Sequence, residues 1–171
     1  MDWARHKHDW PMADTSEFVL NKPHRWHVQR MGTTGPCVLF LHGAGGSTQS
    51  WRHLMPLLSP HMRAIAIDLP GQGFTKSGAQ QRAGLRPMAE DIAALCAAQD
   101  WQIDAIIGHS AGAAIALELA PRLPRPPVVV GLNAALGNFQ GLAGILFPLM
   151  AKALAMMPGV AAFFTASTPR P

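Results

Sequence analysis

The 171-residue sequence predicts an α/β fold, a mostly parallel sheet with helices on both faces, on three observations. Short, nearly uninterrupted apolar runs recur at 37–41, 63–68, 104–107 and 128–132, the pattern of strands covered on both sides. Helix-forming stretches alternate with them at 49–58, 87–100 and 113–119. Glycine-bearing turns close the strands at 42–47, 69–75 and 108–112. With 49% apolar and 14% charged residues, the composition is that of a core-forming chain, and the length suits one domain.

Taken in order, residues 1–17 read as a polar tail with no apolar stretch of the secretory kind. His6, His8, His24 and His27 match no zinc spacing and are expected to be solvated; no metal and no cofactor is expected. An α/β core is expected over 18–136. It opens with two strands at 18–20 and 25–30, expected to pair antiparallel, with Trp26 and Val28 facing in and His27 and Gln29 facing out. The first helix, 49–58, is expected to break at Pro56. The second, 87–100, carries Pro87 in its first turn and puts Met88, Ile92, Leu95, Cys96 and Gln99 near one face. Leu123, Pro124, Arg125, Pro126 and Pro127 make a stiff linker into the last apolar run.

Chemistry concentrates at Gly108-His109-Ser110-Ala111-Gly112, a G-x-S-x-G between a strand and a helix. Such a turn is tight enough to hold its serine in a strained conformation, with room only for glycine at 108 and 112. The loop His42-Gly43-Ala44-Gly45-Gly46-Ser47 ends an earlier strand. Together the two place Ser110 as nucleophile and the Ala44 and Ala111 amides as oxyanion donors, with Gly43 allowing close approach. A phosphate cradle is the weaker reading of the loop, because neither G-x-x-x-x-G-K-[ST] nor G-x-G-x-x-G is present. Asp68, before Leu69-Pro70-Gly71-Gln72-Gly73, is a tempting catalytic acid, but the motif resembles a structural turn of the α/β-hydrolases, which implies that it is not the triad acid.

In order and spacing the three motifs resemble those of α/β-hydrolases. The segments at 25–32, 41–52, 108–115 and 131–136, above all those around Trp26 and Asn133, are similar to one branch of that superfamily. It comprises the magnesium-chelatase accessory (BchO-like) proteins encoded with bacteriochlorophyll biosynthesis genes, and the similarity runs from about residue 9 onward. The resemblance implies an α/β-hydrolase fold, a serine-dependent ester or acyl hydrolysis, and a role beside magnesium chelatase in a photosynthetic cell. It also implies a helical cap over the site, here at 137–171, where residues 141–157 are almost wholly apolar. Phe147 and Met150 would line the pocket from that cap, with His42 and His109 in its wall. Such a lining suits a hydrophobic ester or a tetrapyrrole and also suits docking on a membrane surface.

One departure matters. A serine hydrolase of this fold takes its acid and its histidine from positions after the nucleophile. Here no histidine follows Ser110 and no Asp or Glu follows Glu118. Asn133 lies where some relatives carry the acid, and asparagine cannot neutralise an imidazolium. The sequence is therefore expected to be an N-terminal fragment that is inactive alone, its parent drawing Asp and His from beyond residue 171. The rival expectation is a non-catalytic protein that binds a tetrapyrrole or assists the chelatase. The +4 net charge is dispersed, so nucleic acid is not an expected partner. Cys37 and Cys96 are expected to be buried free thiols. A cytoplasmic place, at the periphery of the photosynthetic membrane, follows as the expected location.

Overall fold

A computed structural model describes residues 2–78 and 82–136. All of them fall in one compact unit, residues 1–136. The expected cap, with Phe147 and Met150, lies outside the described residues.

Six strands form one sheet: β1 (Ser16–Asn21), β2 (His24–Met31), β3 (Cys37–Leu41), β4 (Arg63–Ile67), β5 (Ala105–His109) and β6 (Val128–Leu132). Their order is β1-β2-β4-β3-β5-β6. The β1–β2 and β2–β4 pairs are antiparallel and the rest parallel, with Leu39 set between Ile65 on one side and Ile106 on the other. The expected mostly parallel sheet with an antiparallel start is what the chain builds.

Strand periodicity explains the two cores. Alternate side chains leave opposite faces, so Leu39, Leu41, Ile65, Ile67 and Ile106 join one cluster while Val38, Phe40, Ala64 and Ala66 join another. The first cluster is closed by α3 (Leu85–Ala98) and α4 (Ala111–Leu119), through Met88, Ile92, Leu95, Ile115 and Leu119. The second is closed by Trp51 and Met55, from a 3-10 turn (Thr48–Trp51) and α2 (Leu54–Leu58). The helical stretch expected at 49–58 is thus two pieces. The break falls at Arg52 and His53, not at Pro56, which sits in the first turn of α2 where its missing N–H costs no helix bond. Helix α3 starts two residues before Pro87, capped by extended Gly84.

The amino-terminal residues are more than a polar tail. A short helix, α1 (Trp3–His6), and a 3-10 turn (Ala13–Thr15) run into β1. Trp3 and Trp10 meet Phe74 edge-on, at 5.0 and 4.7 Å between ring centroids, and both face His27. This layer corrects the half-buried reading of β2. Trp26, His27, Val28 and Gln29 are all fully buried, because the second face is covered as well. Gln29 Nε2 donates to the Pro11 and Met12 carbonyls at 2.8 and 3.0 Å, replacing the water that face would otherwise meet. His24 and His27, expected in solvent, are buried on carboxylates: His24 Nε2 lies 3.0 Å from Asp91 Oδ2 and His27 Nδ1 2.8 Å from Asp68 Oδ2.

Cys37 and Cys96 are buried and free. Burial pushes both thiols up, Cys96 to about 12, so neither forms the reactive thiolate near neutral pH. Iodoacetamide at pH 8 is expected to modify both only after denaturation. Rapid labelling of the native protein, read by intact mass, would contradict this packing.

Candidate functional site

The loop between β5 and α4 holds Ser110 at φ 51° and ψ −117°, a backbone region that residues with a side chain seldom occupy. Two neighbours explain how the chain affords it. A Cβ on Gly108 would lie 2.5 Å from the Gly112 carbonyl oxygen, and one on Gly112 would lie 2.2 Å from the Leu41 oxygen. Both contacts are with backbone, so both positions require glycine and let α4 lie directly against β3. Three backbone bonds then fix the serine: its amide donates to Leu132 at 3.0 Å, and its carbonyl accepts from Ala113 and Ala135 at 3.1 and 3.2 Å. Among the described residues its Oγ has no hydrogen-bond partner, which leaves it free to meet a ligand.

The loop after β3 meets this turn. A Cβ on Gly43 would come within 3.1 Å of both Ser110 Cβ and His109 Nδ1, so glycine at 43 lets the two loops touch. Gly45, at φ 76°, turns the chain back, and its amide donates to Gln72 Oε1 at 2.6 Å. Among the described residues neither the Ala44 nor the Ala111 amide donates a hydrogen bond. Two unpaired N–H groups, one in each loop, are what an oxyanion hole needs. Gln72 was not singled out in the sequence; its one signal is its place between Gly71 and Gly73. Gln72→Ala is expected to loosen the loop and slow acylation of Ser110 by a phosphonate about threefold, in line with roughly 0.5–1 kcal/mol for an exposed hydrogen bond that water can replace. An unchanged rate would remove Gln72 from the site.

His42 takes a hydrogen-bonded structural position. It is fully buried, its Nδ1 donates to the Gly43 carbonyl at 2.7 Å, and its Nε2 accepts from the Leu69 amide at 3.0 Å. Both ring nitrogens are in use and burial lowers its pKa, so it stays neutral and cannot act as base to Ser110. Its residue types brace the oxyanion loop against the 69–73 turn. His109 does line a cavity, with Trp51 and Asn133 among others. Among the described residues no histidine reaches Ser110 Oγ.

Asp68 is structural, as its motif suggested. It is fully buried and accepts from His27 Nδ1 at 2.8 Å, the Thr48 amide at 2.6 Å and the Phe74 amide at 2.7 Å. Ser16 Oγ lies 3.1 Å from His27 Nε2, completing a serine–histidine–aspartate chain that the sequence did not reveal. Trp3, Trp10 and Phe74 pack on its histidine; His27 and Asp68 are fully buried and Ser16 is half-buried. The network serves to tie β1, β2 and the 68–74 turn together.

A second cavity, of about 400 Å³, is lined by Ala44, Leu69, Leu85, Met88, Ala111 and Ile115 among others. Its wall is almost wholly apolar and carries no charged side chain among the described residues, which suits an aliphatic or aromatic group. Among the described residues no three His, Cys, Asp or Glu side chains are grouped to hold a metal ion, and no helix is long and apolar enough to cross a membrane.

A strained serine at the turn from a parallel strand into a helix, with the glycine-rich loop after β3 packed against it, is the arrangement of the α/β-hydrolase class. Residues 36–132 match the family model described as alpha/beta hydrolase fold, and the chain belongs to that family. Among individual proteins, it is 46% identical over 158 residues to the magnesium-chelatase 30 kDa subunit of Rhodobacter capsulatus, covering 92% of this chain and 55% of that protein. It is 30% identical over 128 residues to a 2-hydroxy-6-oxo-2,4-heptadienoate hydrolase of Pseudomonas putida, covering 73% and 46%. Among solved structures, epoxide hydrolase VrEH1 of Vigna radiata aligns with a TM-score of 0.63 at 28% identity, covering 82% of this chain and 46% of that one. Cfl2 of Burkholderia cenocepacia aligns with a TM-score of 0.69 at 24% identity, covering 88% and 55%, and shows the fold alone. The chain spans about half the length of these relatives.

Proposed function

We propose that the described residues supply the nucleophile and oxyanion hole of a serine hydrolase acting on an ester or related acyl compound in bacteriochlorophyll biosynthesis, beside magnesium chelatase. The observation that carries the reading is Ser110 at φ 51°, its Oγ unpartnered among the described residues, in a turn that the Gly43 loop packs against. The pathway half rests on the 46% identity to a magnesium-chelatase subunit.

In this reading Ser110 Oγ attacks the scissile carbonyl, and the oxygen that becomes negative accepts from the Ala44 and Ala111 N–H groups. Collapse expels the alcohol and leaves an acyl-serine that water hydrolyses. The attack needs a base at Oγ, and residues 111–171 contain no histidine. The proposal assigns the base, and the acid that orients it, to polypeptide beyond residue 171. Residues 1–171 alone are then expected to show no turnover. In the gene's whole product, Ser110→Ala should lower kcat/KM for 4-nitrophenyl butyrate by ~10³-fold or more. An unchanged value would reject Ser110.

A second reading follows from the same relative: a non-catalytic protein that holds a tetrapyrrole for the chelatase. It expects protoporphyrin IX to bind with an absorbance shift indifferent to Ser110→Ala. Titration without any shift would count against it.

A further inference from the structure

We propose that the apolar cavity of about 400 Å³ holds the acyl side of the ester, and that the first turns of α3 and α4 select there for an uncharged chain or single ring. This rests on the reading of Ser110 as nucleophile and adds to it which half of the substrate the cavity receives.

The strand order accounts for a cavity at this place. From β3 the chain moves to β4 on one side of it and then to β5 on the other. The connections leaving β3 and β5 diverge, and in open α/β sheets ligands settle in the crevice that such a reversal leaves at the carboxyl ends of the strands. Each loop along that edge contributes to the wall: Ala44 after β3, Leu69 and Gln72 after β4, Ala111 after β5 and Ala135 after β6. Ser110 stands one residue from this lining on two of them. Ala111 follows it directly, and Ala44 follows Gly43, whose Cβ position lies 3.1 Å from Ser110 Cβ. Neighbouring Cα atoms are about 3.8 Å apart, so a chain on a carbonyl held at Ser110 enters the cavity within its first few carbons.

The lining decides what enters. Leu85 and Met88 are three apart on α3, and Ala111, Ala114 and Ile115 are three and four apart on α4, so each set shares one helix face. The alanines on α4 leave the space that longer side chains would fill. Among the described residues no lining side chain is charged, and the amide of Gln72 already accepts from Gly45 through Oε1 at 2.6 Å. An ionised group would shed its water there without gaining an ionic partner. The same lining separates the two halves of the ester. A leaving alcohol has to be protonated as it departs, and among the described residues no titratable side chain lines this cavity. The acyl group needs no proton. Ligand cavities run from roughly 300 to 1,000 Å³, and this one lies near the lower end, which suits one chain or one ring.

The test compares three 4-nitrophenyl esters on the gene's whole product: the acetate, the hexanoate and the adipate monoester, which has the carbon count of the hexanoate and ends in a carboxylate. Each buried methylene is worth a factor of about four, so kcat/KM should rise roughly tenfold or more from acetate to hexanoate. For the adipate monoester it should fall back to within about threefold of acetate. Ala114→Leu, which fills the α4 face, should cut the hexanoate-to-acetate ratio to about threefold or less. Leu85 is 46% exposed, so its replacement threatens the fold least, and Leu85→Ser should lower the ratio in the same direction. Equal rates for acetate and hexanoate, an adipate monoester cleaved as well as hexanoate, or a ratio unchanged in both variants would overturn the subsite. So would a preference for hexyl over ethyl acetate that Ala114→Leu removes, since the cavity would then hold the alcohol. Phosphonate labelling of Ser110 in parallel separates the failures: with labelling intact only the subsite falls, and without it the nucleophile falls and takes the subsite with it.

Discussion

Asp68→Ala is expected to destabilise the protein by about 3–5 kcal/mol, the range seen when one partner of a buried polar pair is removed and the other left stranded. The substitution would orphan the Thr48 and Phe74 amides and the His27 ring at once, all within the fully buried network. Whole domains hold only about 5–15 kcal/mol, so much of the variant should be unfolded at 37 °C. Asp68→Asn keeps the volume but turns an N–H₂ toward N–H donors, and should fall between the two. Urea unfolding measures the loss, while phosphonate labelling of Ser110, counted per folded molecule, separates structure from chemistry. A stable Asp68→Ala protein with an unreactive Ser110 would mean that Asp68 acts in catalysis.

Gly112→Ala should be nearly as damaging, at about 3 kcal/mol, in the upper part of the range for overpacking. The added methyl would stand 2.2 Å from the Leu41 oxygen and 2.7 Å from the His42 oxygen. Neither is a side chain that can swing away, so α4 must move off β3, and the Ser110 turn and the oxyanion loop part with it. Gly45→Ala is the control. Nothing lies within 4 Å of its Cβ position, and only its φ of 76° opposes the change, at about 1 kcal/mol. Thermal melts of the two variants should therefore separate clearly. Equal losses would show that backbone conformation, and not the contact with β3, sets the requirement at 112.

These two positions also mark what a sequence can disclose. Gly108, Ser110 and Gly112 were legible because sterics leave so few residue types at such a turn, and each parallel strand was legible because burial on both faces makes it apolar throughout. The covering of β2 was not. His27 and Gln29 alternate with Trp26 and Val28 as in a strand with one wet face, and nothing local shows that Trp3, Trp10 and the Pro11 and Met12 carbonyls return to cover it. The division of the first helix was equally hidden. Pro56 is the visible breaker, yet a proline in a first turn breaks nothing, and the gap came earlier, at Arg52 and His53. Gln72 escaped because its role depends on a loop 27 residues away in sequence. His42 and His109 stand on two different loops: His42 is held by the Gly43 carbonyl and the Leu69 amide, while His109 lines a cavity with Asn133.

The most direct measurement is to locate the adduct of a fluorophosphonate on the gene's whole product by tandem mass spectrometry of its peptides. The expected result is one modified residue, Ser110, with no adduct in Ser110→Ala and none on Ser16, whose histidine is committed to the Asp68 network. An adduct elsewhere, or labelling that persists in Ser110→Ala, would contradict the assignment of the nucleophile.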